Sequence, residues 1–235
     1  ARGGHPDDIS AIATWAVPAG VVGARLYHVI TDLEDYVEDP WSALAVWEGG
    51  LGIWGAVSGG VLGGWYAARR RGLPVGKLLD AAAPGLLVAQ AIGRLGNWFN
   101  RELFGRPTEL PWGLEIPPGD RPVEYAEAEL FHPTFLYEAL WNLALVVGLL
   151  MIERRWRSAA TGSLFALYVA GYCTGRIWIE SLRVDPSPLV LGARLNVWTS
   201  AAVGLAALGW LVSANRRAAR RRAPVAVDDQ AGAPR

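Results

Sequence analysis

The run Gly93-Arg94-Leu95-Gly96-Asn97-Trp98-Phe99-Asn100-Arg101-Glu102-Leu103-Phe104-Gly105 sets an arginine, two asparagines and a glutamate where an apolar segment ends. An ionised side chain costs about 2.5 to 3.5 kcal/mol at the centre of a membrane helix and less toward its ends, so such residues mark function there. A second set, Tyr172, Arg176, Glu180 and Arg183, is spaced i, i+4, i+8, i+11 and shares one helical face. Arg94 and Arg176, on separate helices, can grip one phosphate through paired N–H donors, with Asn97 and Asn100 adding neutral donors. A plainer reading pairs Arg94 with Glu102, or Arg176 with Glu180, as structural ion pairs.

The elements that must carry these residues are apolar stretches at 9–30, 51–68, 78–99, 133–152, 162–182 and 194–213. Each is close to the ~20 residues needed to cross a bilayer core. The expected fold is all-α, a polytopic membrane helix bundle with six spans. One transmembrane domain would cover 1–215. A basic cytoplasmic tail at 216–235 would be disordered beyond its first turn.

Charge along the loops tests that count, because Lys and Arg collect on the cytoplasmic side. Arg69, Arg70, Arg71 and Lys77 follow the second stretch, Arg154, Arg155 and Arg157 the fourth, and Arg216, Arg217, Arg220, Arg221 and Arg222 the sixth. The segment 31–50 has no Lys or Arg but holds Asp32, Glu34, Asp35, Glu38, Asp39 and Glu48, which suits the outer face. The connection 100–132 is also mostly acidic and should form a long outer loop, with Arg101, Arg106 and Arg121 its only basic residues. Its prolines (Pro107, Pro111, Pro117, Pro118, Pro122) and scattered apolar residues suit a loop resting on the membrane surface.

Formal net charge is zero, so no nucleic-acid partner is expected and topology explains the basic clusters. The single cysteine, Cys173, falls in mid-span and allows neither a disulfide framework nor a zinc cluster within one chain. No metal or cofactor is expected. Gly55, Gly59, Gly60, Gly63 and Gly64 give the second stretch the small-xxx-small spacing that lets helix backbones approach closely. The chain opens at Ala1 with neither an initiator Met nor a signal-peptide pattern, so an upstream segment is expected.

With that topology the polar residues fall at one depth. Arg25, Tyr27 and His28 close the first span, Trp54 opens the second, and Arg94, Asn97, Asn100 and Glu102 close the third. His132, Tyr137 and Glu138 open the fourth, and the Tyr172 face occupies the outer half of the fifth. The anion available at that depth is a phospholipid headgroup. An enzyme, a phospholipid transporter or scramblase, and a scaffold whose polar groups only pair helices all fit this pattern.

The opening run resembles the signature of prolipoprotein diacylglyceryl transferases, Gly-Arg-x-Gly-Asn-aromatic-apolar-Asn-x-Glu-x-x-Gly, with Trp98 where Phe is usual. The similarity extends to Gly23-Ala24-Arg25-Leu26, Trp47-Glu48-Gly49-Gly50, Asp80 with Pro84, His132-Pro133-Thr134-x-x-Tyr137-Glu138, and Gly171-Tyr172-x-x-Gly175-Arg176-x-x-x-Glu180. The resemblance implies a multi-pass enzyme of the bacterial cytoplasmic membrane, active toward the outer leaflet. Its substrates would be phosphatidylglycerol and the signal peptides of preprolipoproteins; the diacylglyceryl group passes to the lipobox cysteine and glycerol 1-phosphate leaves.

By the same resemblance Arg94, Asn97, Glu102, Tyr172, Arg176 and Glu180 are catalytic, and Arg94, Asn97, Asn100, Arg176, Arg25 and His132 hold phosphatidylglycerol. The family has seven spans with an outside N-terminus, so a helix ahead of Ala1, with a functional tyrosine, is expected. One departure stands out: Trp54 occupies the place of a histidine proposed as the base for the substrate thiol. Trp cannot accept a proton, and His28 is the candidate substitute.

Overall fold

The computed structural model describes residues 6–37, 39–100, 102–156, 159–185, 187 and 189–222. Glu38, Arg101, Arg157 and the tail beyond Arg222 lie outside the described residues, as do the side chains of Asp35 and Glu48. Six α-helices are described: α1 (Pro6–Thr31), α2 (Ile53–Arg70), α3 (Val75–Phe99), α4 (Thr134–Arg155), α5 (Ser163–Leu182) and α6 (Leu195–Arg222). They match the six apolar stretches in order. Four of them, α1, α3, α4 and α6, are long and apolar enough to cross a membrane, which makes this a helical, multi-pass membrane protein. Glycine dilutes α2, and Arg176 and Glu180 dilute α5.

Two differences from expectation concern the ends of elements. The α6 helix continues through Arg220, Arg221 and Arg222, more than the single turn expected beyond Ser213. Ala218 and Ala219, strong helix formers, and long unbranched arginines keep the backbone helical there. The segment 102–133 is folded: β1 (Leu114–Glu115) pairs antiparallel with β2 (Leu130–Phe131), and two short 3-10 turns lie between them. Phe104, Ile116 and Phe131 form a buried cluster beneath it. A second two-residue hairpin joins β3 (Leu189–Val190) to β4 (Ala193–Arg194) just before α6.

Contacts divide the chain into two compact units, 1–78 and 79–235. The first is built on the α1–α2 pair. A Cβ at Gly23 or Gly55 would collide with the other's carbonyl oxygen, and one at Gly59 with the Ala19 carbonyl, so glycine is what lets these backbones touch.

The second unit packs α3, α4 and α5 around Ala83, Leu87, Leu149 and Tyr168, and α6 lies against α5, where a Cβ at Gly204 would come within 3.1 Å of the Cys173 Cβ. A Cβ at Gly175 of α5 would strike the Trp141 ring of α4, and one at Gly171 would come within 2.7 Å of Leu145. This close fit brings the face of α5 that bears Arg176 against α4. The Trp141 Nε1 donates to the Gly171 carbonyl at 3.0 Å and fixes the contact.

Candidate functional site

The second unit gathers charged side chains from α3, α4, α5 and the β4–α6 junction. Glu138, on the buried face of α4 and 3% exposed, is the hub. Its Oε1 lies 2.7 Å from Arg94 Nη2 of α3, and its Oε2 accepts from Arg176 Nη1 of α5 at 3.3 Å. The Tyr172 hydroxyl donates to Glu138 Oε1 at 3.3 Å. Arg94 also reaches Asn97 Oδ1 at 3.4 Å.

A second carboxylate continues the chain. Glu180 is fully buried; its Oε2 accepts from Arg176 Nη2 at 2.5 Å, and its Oε1 accepts from Arg194 Nε at 2.8 Å and Asn196 Nδ2 at 3.0 Å. Arg183 approaches Glu180 at 3.8 Å, and both Arg183 and Arg194 pair with Asp185, at 2.6 and 2.8 Å. Burial alone raises the Asp185 carboxyl, but the hydrogen bond and charge of Arg183, joined by Arg194, outweigh it and hold it below the ordinary carboxylate value. Among the described residues these ion pairs join four guanidiniums (Arg94, Arg176, Arg183, Arg194) to three carboxylates (Glu138, Glu180, Asp185).

The other residues read from the sequence sort around this network. The plainer alternative that pairs Arg94 with Glu102 is not met: Arg94 turns to Glu138, and Glu102 Oε1 accepts from Asn97 Nδ2 at 2.9 Å and Asn100 Nδ2 at 3.0 Å. Those two donors, Asn100 first, lower the Glu102 carboxyl below its usual value. His132 stands apart from the ion pairs, its Nδ1 3.1 Å from the Tyr137 hydroxyl, which also accepts from Trp112 at 3.0 Å. Gly105, the last glycine of the signature, pairs with Arg183, and a Cβ there would crowd His132, Thr134 and the Leu182 carbonyl at 2.8 to 3.0 Å. This ties the end of the α3 signature to the end of α5.

Arg25 and His28 belong to the first unit. Arg25 is buried, and its donors go to backbone carbonyls: Nε to Ala43 at 2.9 Å, Nη1 to Gly49 and Gly50 at 2.6 and 3.1 Å, and Nη2 to Ser42 at 2.5 Å. The Tyr36 ring lies 5.3 Å beneath the guanidinium. Arg25 thus fastens the segment 39–50 to α1. His28 Nδ1 lies 2.9 Å from Asp32, and Trp54 is 67% exposed.

The sequence reading missed Arg194, Asn196 and Asp185, which precede or open α6 with no periodic signal. It placed Glu138 among the polar residues of α4 without giving it a role. A carboxylate flanked by apolar residues in a span was the available signal, since such a group must find cations on neighbouring helices.

A family model described as prolipoprotein diacylglyceryl transferase matches residues 1–213. A phosphatidylglycerol–prolipoprotein diacylglyceryl transferase of Streptomyces griseus is 53% identical over 215 residues, covering 90% of this chain and 65% of that protein. One of Rhodococcus jostii is 52% identical over 231 residues, covering 92% and 64%. One of Cutibacterium acnes is 50% identical over 220 residues, covering 92% and 74%. The chain thus spans about 65% of the length of the first two of these relatives. On the breadth of the family match and this level of identity, the chain belongs to the prolipoprotein diacylglyceryl transferase family.

Proposed function

We propose that this protein transfers the diacylglyceryl group of phosphatidylglycerol to the lipobox cysteine thiol of preprolipoproteins, the first step of lipoprotein maturation. The observation that carries the reading is the pair of guanidiniums, Arg94 and Arg176, brought together from separate helices on one buried carboxylate. Each guanidinium has five N–H donors, so both keep donors for an anion after binding Glu138. Relatives named for phosphatidylglycerol share about half the sequence, which supports a phospholipid as the source of that anion.

The chemistry is a displacement at carbon. The thiolate attacks the glyceryl carbon that bears the phosphate ester oxygen; a C–S bond forms, the C–O bond breaks, and its electron pair leaves on the phosphate as glycerol 1-phosphate. Arg94 and Arg176 stabilise the charge that develops on the leaving oxygen. Glu138, Glu180 and Tyr172 hold the two guanidiniums in place, and Glu102 orients Asn97 and Asn100 as neutral donors. His132 borders the headgroup through its contact with Tyr137. Arg25, whose donors are committed to carbonyls, holds a loop instead of lipid.

His28 stays the candidate base for the thiol by the resemblance alone: Asp32 engages its Nδ1, which leaves Nε2 as the acceptor. Unchanged pH dependence of the thiol reaction in His28→Gln removes that role. The thiol's own ionisation, a few per cent at neutral pH for a pKa of about 8.5, then supplies the nucleophile.

The Arg-rich ends of α2, α4 and α6 support six spans with those ends in the cytoplasm, and with them a site toward the outer leaflet of the bacterial cytoplasmic membrane. The segment 102–131 then rests on the outer surface, where it admits the signal peptide. Purified protein incubated with phosphatidylglycerol vesicles and a lipobox peptide tests the proposal: the peptide cysteine gains the mass of a diacylglyceryl group. Lipid movement without that adduct identifies a transporter and overturns it.

A further inference from the structure

The helix that carries Arg176 begins at a glycine. Gly162, at the N-cap position of α5 with φ of 94°, has no side chain with which to satisfy the helix's first N–H groups. The caps come instead from two other helices. Asp80 of α3 accepts from Gly162 N–H at 2.7 Å through Oδ2 and from Phe165 N–H at 2.9 Å through Oδ1. Asn215 of α6 accepts from Ala160 N–H at 2.9 Å and donates to the Ser163 hydroxyl at 2.9 Å. Asp80 is buried and has no ion pair among the described residues. Its charge faces the positive end of the α5 dipole.

These bonds sit at one end of a helix pair whose other end is the ion network. From Asp80 to Arg94 along α3, and from Ser163 to Arg176 along α5, the axial rise is about 20 Å in each case. Gln90 Nε2 donates to the Tyr168 hydroxyl at 3.0 Å between the two ends. A bidentate carboxylate on two backbone N–H groups resists both sliding and rotation of α5 against α3, and adds to the Gly171 and Gly175 contacts that hold α5 on α4.

We propose that Asp80 is a positioning residue: by capping α5 it sets the axial register that brings Arg176 level with Arg94 on Glu138. Its effect on catalysis rests on the transfer reaction proposed above; its effect on helix register does not.

The test uses spin labels at Leu95→Cys and Ser181→Cys in a Cys173→Ala background, in phosphatidylglycerol-containing nanodiscs. Both sites are exposed, one on α3 and one on α5. Asp80→Ala is expected to shift or broaden the label distance by about 1.5 Å, one residue's rise, or more. It should lower the kcat of transfer about 10- to 100-fold, as misplacement of a catalytic group by about an ångström does. In an Arg176→Ala background the same substitution should have little further effect, because the group it positions is gone. Asp80→Asn, which keeps one acceptor but turns an N–H toward a backbone N–H, gives a smaller change in the same direction and serves if the alanine variant does not fold.

An unchanged label distance in a folded Asp80 variant overturns the proposal. So does a full additional loss of rate in the Arg176→Ala background, which would indicate general destabilisation. If the parent protein transfers nothing, the functional reading falls while the label distance still decides the role of Asp80.

Discussion

Arg94 and Glu138 meet at 2.7 Å between α3 and α4, and the other oxygen of the same carboxylate faces Arg176. One buried acid therefore holds two arginines that would otherwise repel each other. Arg176 is held from a second side by Glu180 at 2.5 Å, so both arms of its fork are fixed.

Glu138→Gln removes that restraint and leaves both guanidiniums without their common counter-charge. Breaking a buried ion pair from one side costs about 3 kcal/mol or more. A clear fall in thermal unfolding temperature is expected, together with loss of transfer. An unfolding temperature equal to the parent's would mean that Glu138 does not hold the arginines.

Arg94→Lys keeps the charge but loses the fork that engages Glu138 and, in the proposed reaction, a phosphate at once. Removal of one donor to a developing oxyanion costs about 100-fold or more in kcat. Steady-state transfer to a lipobox peptide measures it, and turnover near the parent's would count heavily against a leaving-group role.

Much of this was legible in the sequence. The i, i+4 spacing of Tyr172, Arg176 and Glu180 read correctly as one face of α5, and the Arg176–Glu180 contact follows from that spacing alone. Partners across helices were not legible in the same way. Glu102 is the nearest acid to Arg94 within the signature, yet Arg94 turns to Glu138, because closeness in sequence says nothing about which faces of α3 and α4 meet. Arg194 was missed for a related reason: a two-residue hairpin returns the chain to Glu180, and such a turn carries no periodicity.

Arg25→Ala leaves the carbonyls of Ser42, Ala43, Gly49 and Gly50 without their shared donor. Hydrogen–deuterium exchange should quicken across 39–50, while the KM for phosphatidylglycerol stays within about twofold, the change expected when no charge contact to substrate is lost. A KM raised tenfold with exchange unchanged would return Arg25 to the headgroup.

Acid should act on the second unit through Asp185 and Glu102. Both carboxyls are lowered by their partners, so the stability they lend is complete above the ordinary carboxylate pKa and is lost as pH falls through their folded values. The unfolding temperature should stay level from about pH 7 to about pH 5 and decline below about pH 4. Asp185→Asn should make that decline shallower. A midpoint that rises on acidification contradicts the assignment.

The glycine seam between α1 and α2 repeats every helical turn, through Gly55, Gly59 and Gly63 against Gly23, Ala19 and Trp15. A repeating seam on its own does not specify which turn meets which, since a slip of four residues still offers small residues to part of the contact. The Arg25 attachment removes that ambiguity. With Gly52 N–H bonded to the Ala24 carbonyl at 2.9 Å and Arg25 holding Gly49 and Gly50, the chain entering α2 has a single permitted starting point on α1. The buried arginine works as an index pin, giving a slippery joint one defined setting.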